Sequence, residues 1–375
     1  MRVLYWTQLY WPYIGGVEVH GANFLRSMRI RGHQFAVVTS HGSLNLPDHD
    51  EYEDVPIYRF PFQTALANGN MDQLMIARQR LIQLKLDFKP DLVHIQLSDP
   101  SAFFHLQTMT VEPTSTLISF HVSLPSSSSG GDTLLEKILV SSDWITANSK
   151  AVLSDVRHLV PDIVNKSSCI YGGLEPSHLI PQPLSFHSPK LLCLGRLVID
   201  KGFDLAIDAF SKLIERYPNA RLVIAGDGPA RSALEQQVRS LGIDHTVEFC
   251  GWVNPAEVPH LLNTSTIIVV PSRCREAFGL VVLQAAQMAR PVVAARVGGL
   301  PEVVADYETG LVVDKENPQA LANAIAFLLD HPDEAVRMGK QAQIRANAKF
   351  NWKKHIDAYD QLYQKLLRDA CVESK

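Results

Sequence analysis

The stretch Pro271–Ala295, PSRCREAFGLVVLQAAQMARPVVAA, decides how the rest of the chain is read. It follows an apolar run, Thr266 to Val270, that suits a buried strand. It then carries Glu276 through a loop to a corner at Phe278-Gly279, where a helix begins. Gly279 has no Cβ, so a ligand can come close to the backbone where a helix leaves its first N–H groups unpaired. Those donors and the positive end of the helix dipole suit a phosphate. A tight strand-to-helix turn without a ligand would leave the same trace. Glu276 and Gln284 stand eight positions apart, the second about one and a half turns inside the helix. Strand end, acidic loop, glycine corner and polar helical residue therefore converge on one crevice.

Outward from that stretch, short β-type runs alternate with helix-period segments, the pattern of parallel sheets covered on both faces. In the first half the expected strands are Arg2–Thr7, Gln34–Ser40, Asp91–Leu97, Thr116–Phe120, Trp144–Asn148 and Ser168–Tyr171. Val17, Phe24, Leu25 and Met28 mark one helix face closed by Gly32. The second half starts again at Lys190–Leu194 and repeats through Arg221–Ala225, Thr246–Phe249, Ile267–Val270, Pro291–Ala295 and Leu311–Val313. Between the halves, Pro176, Pro181, Pro183 and Pro189 resist helix and predict a linker over 176–189. The expected domains are 1–175 and 190–351, followed by an amphipathic helix within 352–375.

With 35 basic against 39 acidic residues there is no electrostatic case for nucleic acid. Cys169, Cys193, Cys250, Cys274 and Cys371 are scattered without metal or redox spacing, as reduced thiols are, and a mostly buried, inert role is expected. The N-terminus MRVLYWTQLY reads as a first strand rather than a signal peptide. No segment approaches the roughly 20 apolar residues that cross a bilayer, so a cytoplasmic location is expected, with the inner face of the membrane as a variant. The helical segment from Met71 to Lys89 carries Arg78, Arg80, Lys85 and Lys89, a face that suits anionic lipid, although such patterns are more often solvated.

Several other loops follow strands. After Lys190–Leu194 comes Gly195-Arg196-Leu197-Val198-Ile199-Asp200-Lys201-Gly202, at the carboxyl end of a strand where open sheets place ligands. Arg196 can fork two diphosphate oxygens and Lys201 supplies a compact charge; a surface loop with two solvated cations is the alternative. Ala225-Gly226-Asp227-Gly228-Pro229 reads equally well as a tight turn with Pro at the helix start. Gly15-Gly16 opens the first helix, and His121 follows the strand ending at Phe120. Pro125 to Gly131, PSSSSGG, reads as a polar loop able to cover a substrate.

Glu276-x7-Gln284, with Gly-Arg-Leu followed by Asp-Lys-Gly at 195–202, resembles the signature of the retaining glycosyltransferases of family 4. Gly226-Asp227-Gly228-Pro229, Phe249-Cys250-Gly251-Trp252-Val253 and Val297-Gly298-Gly299-Leu300-Pro301-Glu302 are similar to that family too. The family's second acid is Gln284 here, and its Pro-Asn-Gly-Val-Asp-like turn is Tyr171-Gly172-Gly173-Leu174-Glu175.

The resemblance implies an α/β GT-B fold, with two Rossmann-like domains whose parallel sheets face a deep interdomain cleft and a terminal helix packed back on the first domain. It implies transfer of a sugar from a nucleotide-diphosphate sugar, UDP being the expected nucleotide, to an acceptor hydroxyl, with no cofactor and no metal. Carried over as catalytic are His121, Glu276, Arg196 and Lys201. Carried over as donor-binding are Gly16, Arg196, Lys201, Val253, Glu276, Phe278, Gly279, Leu280 and Gln284. A sugar-nucleotide epimerase and a nucleotide-sugar-binding protein with an eroded site are the alternatives.

Overall fold

Runs of Val, Ile, Leu and Ala become strands buried on both faces, and the polar, glycine-bearing segments between them become loops at the sheet edges. The computed structural model describes residues 1–97, 100–111, 113–122, 133–274 and 276–373. They divide into two units, Met1–Tyr171 with His355–Lys375, and Gly172–Lys354.

The first unit holds eight strands: β1 Arg2–Trp6, β2 Gln34–Ser40, β3 His49–Tyr52, β4 Val55–Phe60, β5 Leu92–Gln96, β6 Ser115–Phe120, β7 Trp144–Ala147 and β8 Ser167–Cys169. Their order is β3-β4-β2-β1-β5-β6-β7-β8, parallel throughout except for the hairpin β3–β4. That hairpin is absent from the sequence reading. Its first strand is polar and exposed, and its second begins Val55-Pro56, so neither shows the apolar run used to find the others. It turns through Glu53 and Asp54, both at positive φ (51° and 56°), which suits a two-residue hairpin turn. Arg59 of β4, 1% exposed, donates to Asp50 Oδ2 at 3.0 Å and to the carbonyls of Pro47 and Trp11.

The terminal helix, Trp352–Glu373, buries Ile356, Tyr359, Tyr363 and Leu366 at helical spacing against the first unit. Tyr363 Oη lies 2.7 Å from His94 Nδ1 on β5, and Tyr359 Oη reaches Thr146 Oγ1 at 3.1 Å on β7. Asp357 and Asp360 pair with Arg31 and His33 at the end of the first helix, Gly16–Ile30.

The second unit has six parallel strands: β9 Lys190–Leu194, β10 Arg221–Ala225, β11 Val247–Gly251, β12 Ile267–Val270, β13 Val292–Ala295 and β14 Gly310–Val313. Their order, β11-β10-β9-β12-β13-β14, runs outward one way from β9 and the other way from β12. The chain therefore reverses direction across the sheet between β9 and β12, the place where doubly wound sheets open a crevice at their carboxyl ends. Leu191, Cys193, Phe203, Ile207, Phe210, Ile224, Ile267 and Leu328 anchor the core. The proline-bearing segment 176–189 has no helix or strand, yet it is tied to this unit. Asn263 accepts from Gln182 N at 2.8 Å and donates to Ile180 O at 2.9 Å, and Thr266 Oγ1 donates to Ser185 O.

Candidate functional site

The two loops at the switch point are 195–202 after β9 and 271–279 after β12, and the structure joins them. Gly202, at φ 66°, packs so tightly that a Cβ there would lie 2.2 Å from the carbonyl oxygen of Pro271. Only glycine gives both that backbone angle and that approach. One residue earlier, Lys201 Nζ donates to Glu276 Oε1 at 2.5 Å, and Ser272 Oγ donates to the same oxygen at 2.8 Å. The side chains of Lys201 and Glu276 are 33% and 18% exposed, so the pair is partly screened from water and still reachable. Two donors on Oε1 fix the carboxylate plane. The Glu276 backbone is held from the other side by Gly299 N at 2.8 Å.

Glu276 leads to Gly279, which caps the helix Leu280–Gln287 in the left-handed region (φ 95°, ψ 63°) with no side-chain cap. The amides that open this helix have no intrahelical acceptor, so they stand as donors beside the loop that carries Glu276. Leu280 is the first helical residue, and Gln284, half-buried, lies in the second turn with no side-chain partner among the described residues. Phe278 differs from the other candidates. Its side chain is 2% exposed, against Gly172 and the Phe350 ring, so only its backbone can face a ligand.

Arg196 shares the loop with Lys201, is exposed, and has no side-chain partner among the described residues. The loop is supported by its neighbour Gly226-Asp227-Gly228: Leu197 N donates to Asp227 O at 2.9 Å, and Ala230 N donates to Leu197 O at 2.9 Å. That second loop thus serves as a brace. Val253 follows the edge strand β11. It lines an open groove of about 530 Å³ with Cys250, Trp252, Glu257, His260, Leu261 and Thr264.

Two residues in this region escaped the sequence reading. Ser272 is 1% exposed and its hydroxyl positions Glu276. Arg273 forks both oxygens of Asp204 at 2.5 Å. A serine and an arginine in a loop carry no signal of their own; only the packing of one loop on the other gives them partners.

In the first unit, Gly16 is exposed and starts the helix Gly16–Ile30. The Glu18 carboxylate folds back over that start, so that a Cβ on Gly15 would lie 2.3 Å from Glu18 Oε2. His121 follows β6, and its ring lies 5.3 Å from that of His20, one turn into the same helix. His20 in turn meets His355 of the terminal helix edge to face at 5.0 Å. Burial pushes the His121 pKa down to about 3, and the neighbouring His355 pushes the same way. Burial holds His355 at about 4, against the opposing hydrogen bond to the Tyr171 carbonyl. His121 is therefore a neutral imidazole near pH 7, able to accept or donate one hydrogen bond and unable to supply a positive charge. Asn148, after β7, donates to the His121 carbonyl at 3.4 Å, and its buried Oδ1 has no hydrogen-bond partner among the described residues. The segment Pro125 to Gly131 lies outside the described residues.

Other expectations change. Lys85 points inward, 1% exposed, donating to Thr108 Oγ1 at 2.8 Å, with burial lowering its pKa to about 8. Arg80 pairs with Asp48 at 2.9 Å. The basic face of the helix Met71–Phe88 thus shrinks to Arg78, with Lys89 at the C-cap, beside exposed Met71, Met75, Ile76 and Leu86. Of the five cysteines only Cys193 is buried, while Cys250, Cys274 and Cys371 are exposed. An Asp-x-Asp does occur, at Asp48-His49-Asp50, but its carboxylates are committed to Arg80, His41 and Arg59. No group of three metal-ligating side chains is found among the described residues. No described helix is long and apolar enough to cross a membrane.

Two α/β units of this design define a GT-B-type protein. Over nearly its whole length the chain superposes on sucrose-phosphate synthase from Thermosynechococcus elongatus, with a TM-score of 0.84 at 21% identity, covering 98% of this chain and 99% of that one. Anabaena HepE in complex with UDP-glucose matches at 0.78 and 20% identity, covering 98% and 100%. The sequence pattern described as Glycosyl transferases group 1 matches residues 181–345, and that of Glycosyltransferase Family 4 matches residues 14–178. The chain belongs to the family 4 glycosyltransferases.

Among named relatives, the D-inositol 3-phosphate glycosyltransferase of Corynebacterium efficiens is 31% identical over 254 residues, 63% of this chain and 59% of that protein. An uncharacterized glycosyltransferase of Methanocaldococcus jannaschii is 26% identical over 98% of this chain and 99% of its own length. The chain spans about three fifths or less of the length of the first curated relatives it matches.

Proposed function

We propose that the protein transfers a sugar from a nucleoside-diphosphate sugar to an acceptor hydroxyl with retention of anomeric configuration. The observation that carries this reading is the contact between Lys201 and Glu276 at the switch point. It brings a cation suited to a diphosphate and a carboxylate suited to sugar hydroxyls within 2.5 Å of each other. A donor seated there would have its phosphates toward Lys201, Arg196 and the amides at Gly279 and Leu280, with its sugar toward Glu276.

The bond between the anomeric carbon and the phosphate oxygen breaks, and its electron pair goes to the leaving diphosphate. The cations and helix amides gain most from that developing charge, which makes them catalytic as well as binding groups. The acceptor oxygen bonds the anomeric carbon from the same face, and its proton passes to a leaving phosphate oxygen. An oxocarbenium-like centre forms between the two events. Neutral His121 orients a sugar hydroxyl in this scheme. Arg196 and Lys201 supply the positive charge that a metal gives elsewhere, and no cofactor enters the balance. UDP is the nucleotide we favour, supported by the UDP-glucose complex of HepE.

Incubation with UDP-, GDP- and ADP-sugars, with and without acceptors, tests the reading, with the product anomer read by NMR. Transfer with retention is expected. Epimerised donor without acceptor would show a sugar-nucleotide epimerase, and binding without turnover an eroded site. Contact with a lipid surface through Met71, Met75 and Leu86 beside Arg78 and Lys89 is part of the same proposal, and liposome sedimentation checks it.

A further inference from the structure

We propose that Arg273 is a positioning residue for the diphosphate, holding the loop that carries Lys201 against the loop that carries Glu276. Four contacts support this. The guanidinium forks Asp204, with Nη1 to Oδ1 and Nη2 to Oδ2 at 2.5 Å each. Asp204 lies in the first turn of the helix that follows Gly202. Nη1 also donates to Ile199 O at 3.2 Å, and Arg273 N donates to Asp200 O at 2.8 Å. Nε faces Glu316 at 3.6 Å, and Gln237 Nε2 donates to the Asp204 carbonyl from the helix Arg231–Ser240.

The arrangement is a double row. Asp200 and Arg273 are joined through the backbone, and the next residue along one loop, Lys201, and the previous residue along the other, Ser272, both donate to Glu276 Oε1. The outer row therefore sets the spacing of the inner row. An ammonium on a four-carbon stem has many rotamers, and a diphosphate gains from it only if its root is fixed. The Arg273–Asp204 fork is planar and bidentate, the geometry that adds direction as well as attraction. Without it the 3-10 turn Ile199–Lys201 is still tied to the other loop by the main-chain bond from Arg273 N to Asp200 O and by Gly202 packed on Pro271, neither of which carries the direction of the planar fork.

This inference rests on the reading of Lys201 as a diphosphate ligand, and a mutant cycle separates the two. The probe is whichever of UDP, GDP and ADP binds the wild type most tightly by calorimetry. Arg273→Ala should weaken that affinity about tenfold in the wild-type background and less than about twofold in a Lys201→Ala background, because the clamp acts through Lys201. Asp204→Asn should reproduce the pattern, and it replaces Arg273→Ala in the cycle if that variant does not fold. Equal weakening with and without Lys201 would mean a general structural role and would overturn the proposal. Unchanged affinity in Arg273→Ala would also overturn it while leaving the donor site intact. A wild type that binds none of the three nucleotides would remove the functional reading itself.

Discussion

The carboxyl edges of the two sheets handle polar groups in opposite ways. Beside β9 and β12 the second unit keeps a charged pair, Lys201 and Glu276, partly open to water and framed by short glycine-bearing loops. Beside β5 and β6 the first unit gathers His20, His94, His121 and His355, all with pKa values pushed down by burial. The difference lies in what covers each edge. Tyr359 and Tyr363 of the terminal helix cover His94 and satisfy it and Ser119, whereas Lys201 and Glu276 keep part of their side-chain surface in water. A charged pair costs least where water or a charged ligand reaches it, and a buried cluster of imidazoles with no acidic partner is held neutral by desolvation.

The sharpest test of this contrast is Lys201→Ala, which should lower donor-dependent turnover about 100-fold while leaving the first unit's stability unchanged; steady-state kinetics beside urea unfolding measure both. Normal kinetics would place the charged site elsewhere.

Gly202→Ala comes next. It forces a Cβ into the Pro271 carbonyl at φ 66° and should cost about 2 kcal/mol of stability, read as a lower urea midpoint. Hydrogen exchange should show the loss in the second unit. An unaltered midpoint would mean that the two loops are not in register.

Acid should discriminate the units in the other direction. A histidine whose folded pKa is depressed contributes stability that is complete above its ordinary 6.5 and is lost as pH falls below that value. For His355, held at about 4, the loss between pH 7.5 and 5 is about 2 kcal/mol. Hydrogen exchange at the two pH values should open the terminal helix before strands β9 and β12. Simultaneous opening would show that the histidines are not the acid-sensitive element.

The smallest effect should come from Gln284→Glu. Restoring a carboxylate in the helix Leu280–Gln287 gives a charge-assisted acceptor for a ribose hydroxyl and should tighten donor binding by a few-fold. Calorimetry showing no change, or weaker binding, would remove Gln284 from the site.

Much of the architecture is legible in the chain, because strands buried on both faces must be apolar and the loops that turn from them need glycine and proline. β1, β2, β5, β9, β10, β12 and β13 fall where runs such as Arg221–Ala225 and Ile267–Val270 put them. The β3–β4 hairpin did not show itself, because its stability comes from Arg59 buried under Trp11 and Pro47 rather than from an apolar pattern. Lys85 reads as a surface cation, since residue type says nothing about whether Thr108 and His105 wait inside to solvate it. That Glu276, Lys201 and Arg196 sit in loops at strand ends was legible in the chain, because the glycine-bearing segments that carry them follow apolar runs. The contacts of Ser272 and Arg273 were not, since their partners are 4 and 69 residues away and only the folded loops bring them together.

The chain alone determined that two alternating α/β halves would form and that a glycine corner, an acid and two cations would lie at strand ends, because periodicity and backbone freedom are local properties. Only the folded structure decided which of those charges meet. Lys201 is placed on Glu276, Phe278 is turned inward and His121 is neutral because strand order and burial are properties of the whole sheet, and they set distance and dielectric together.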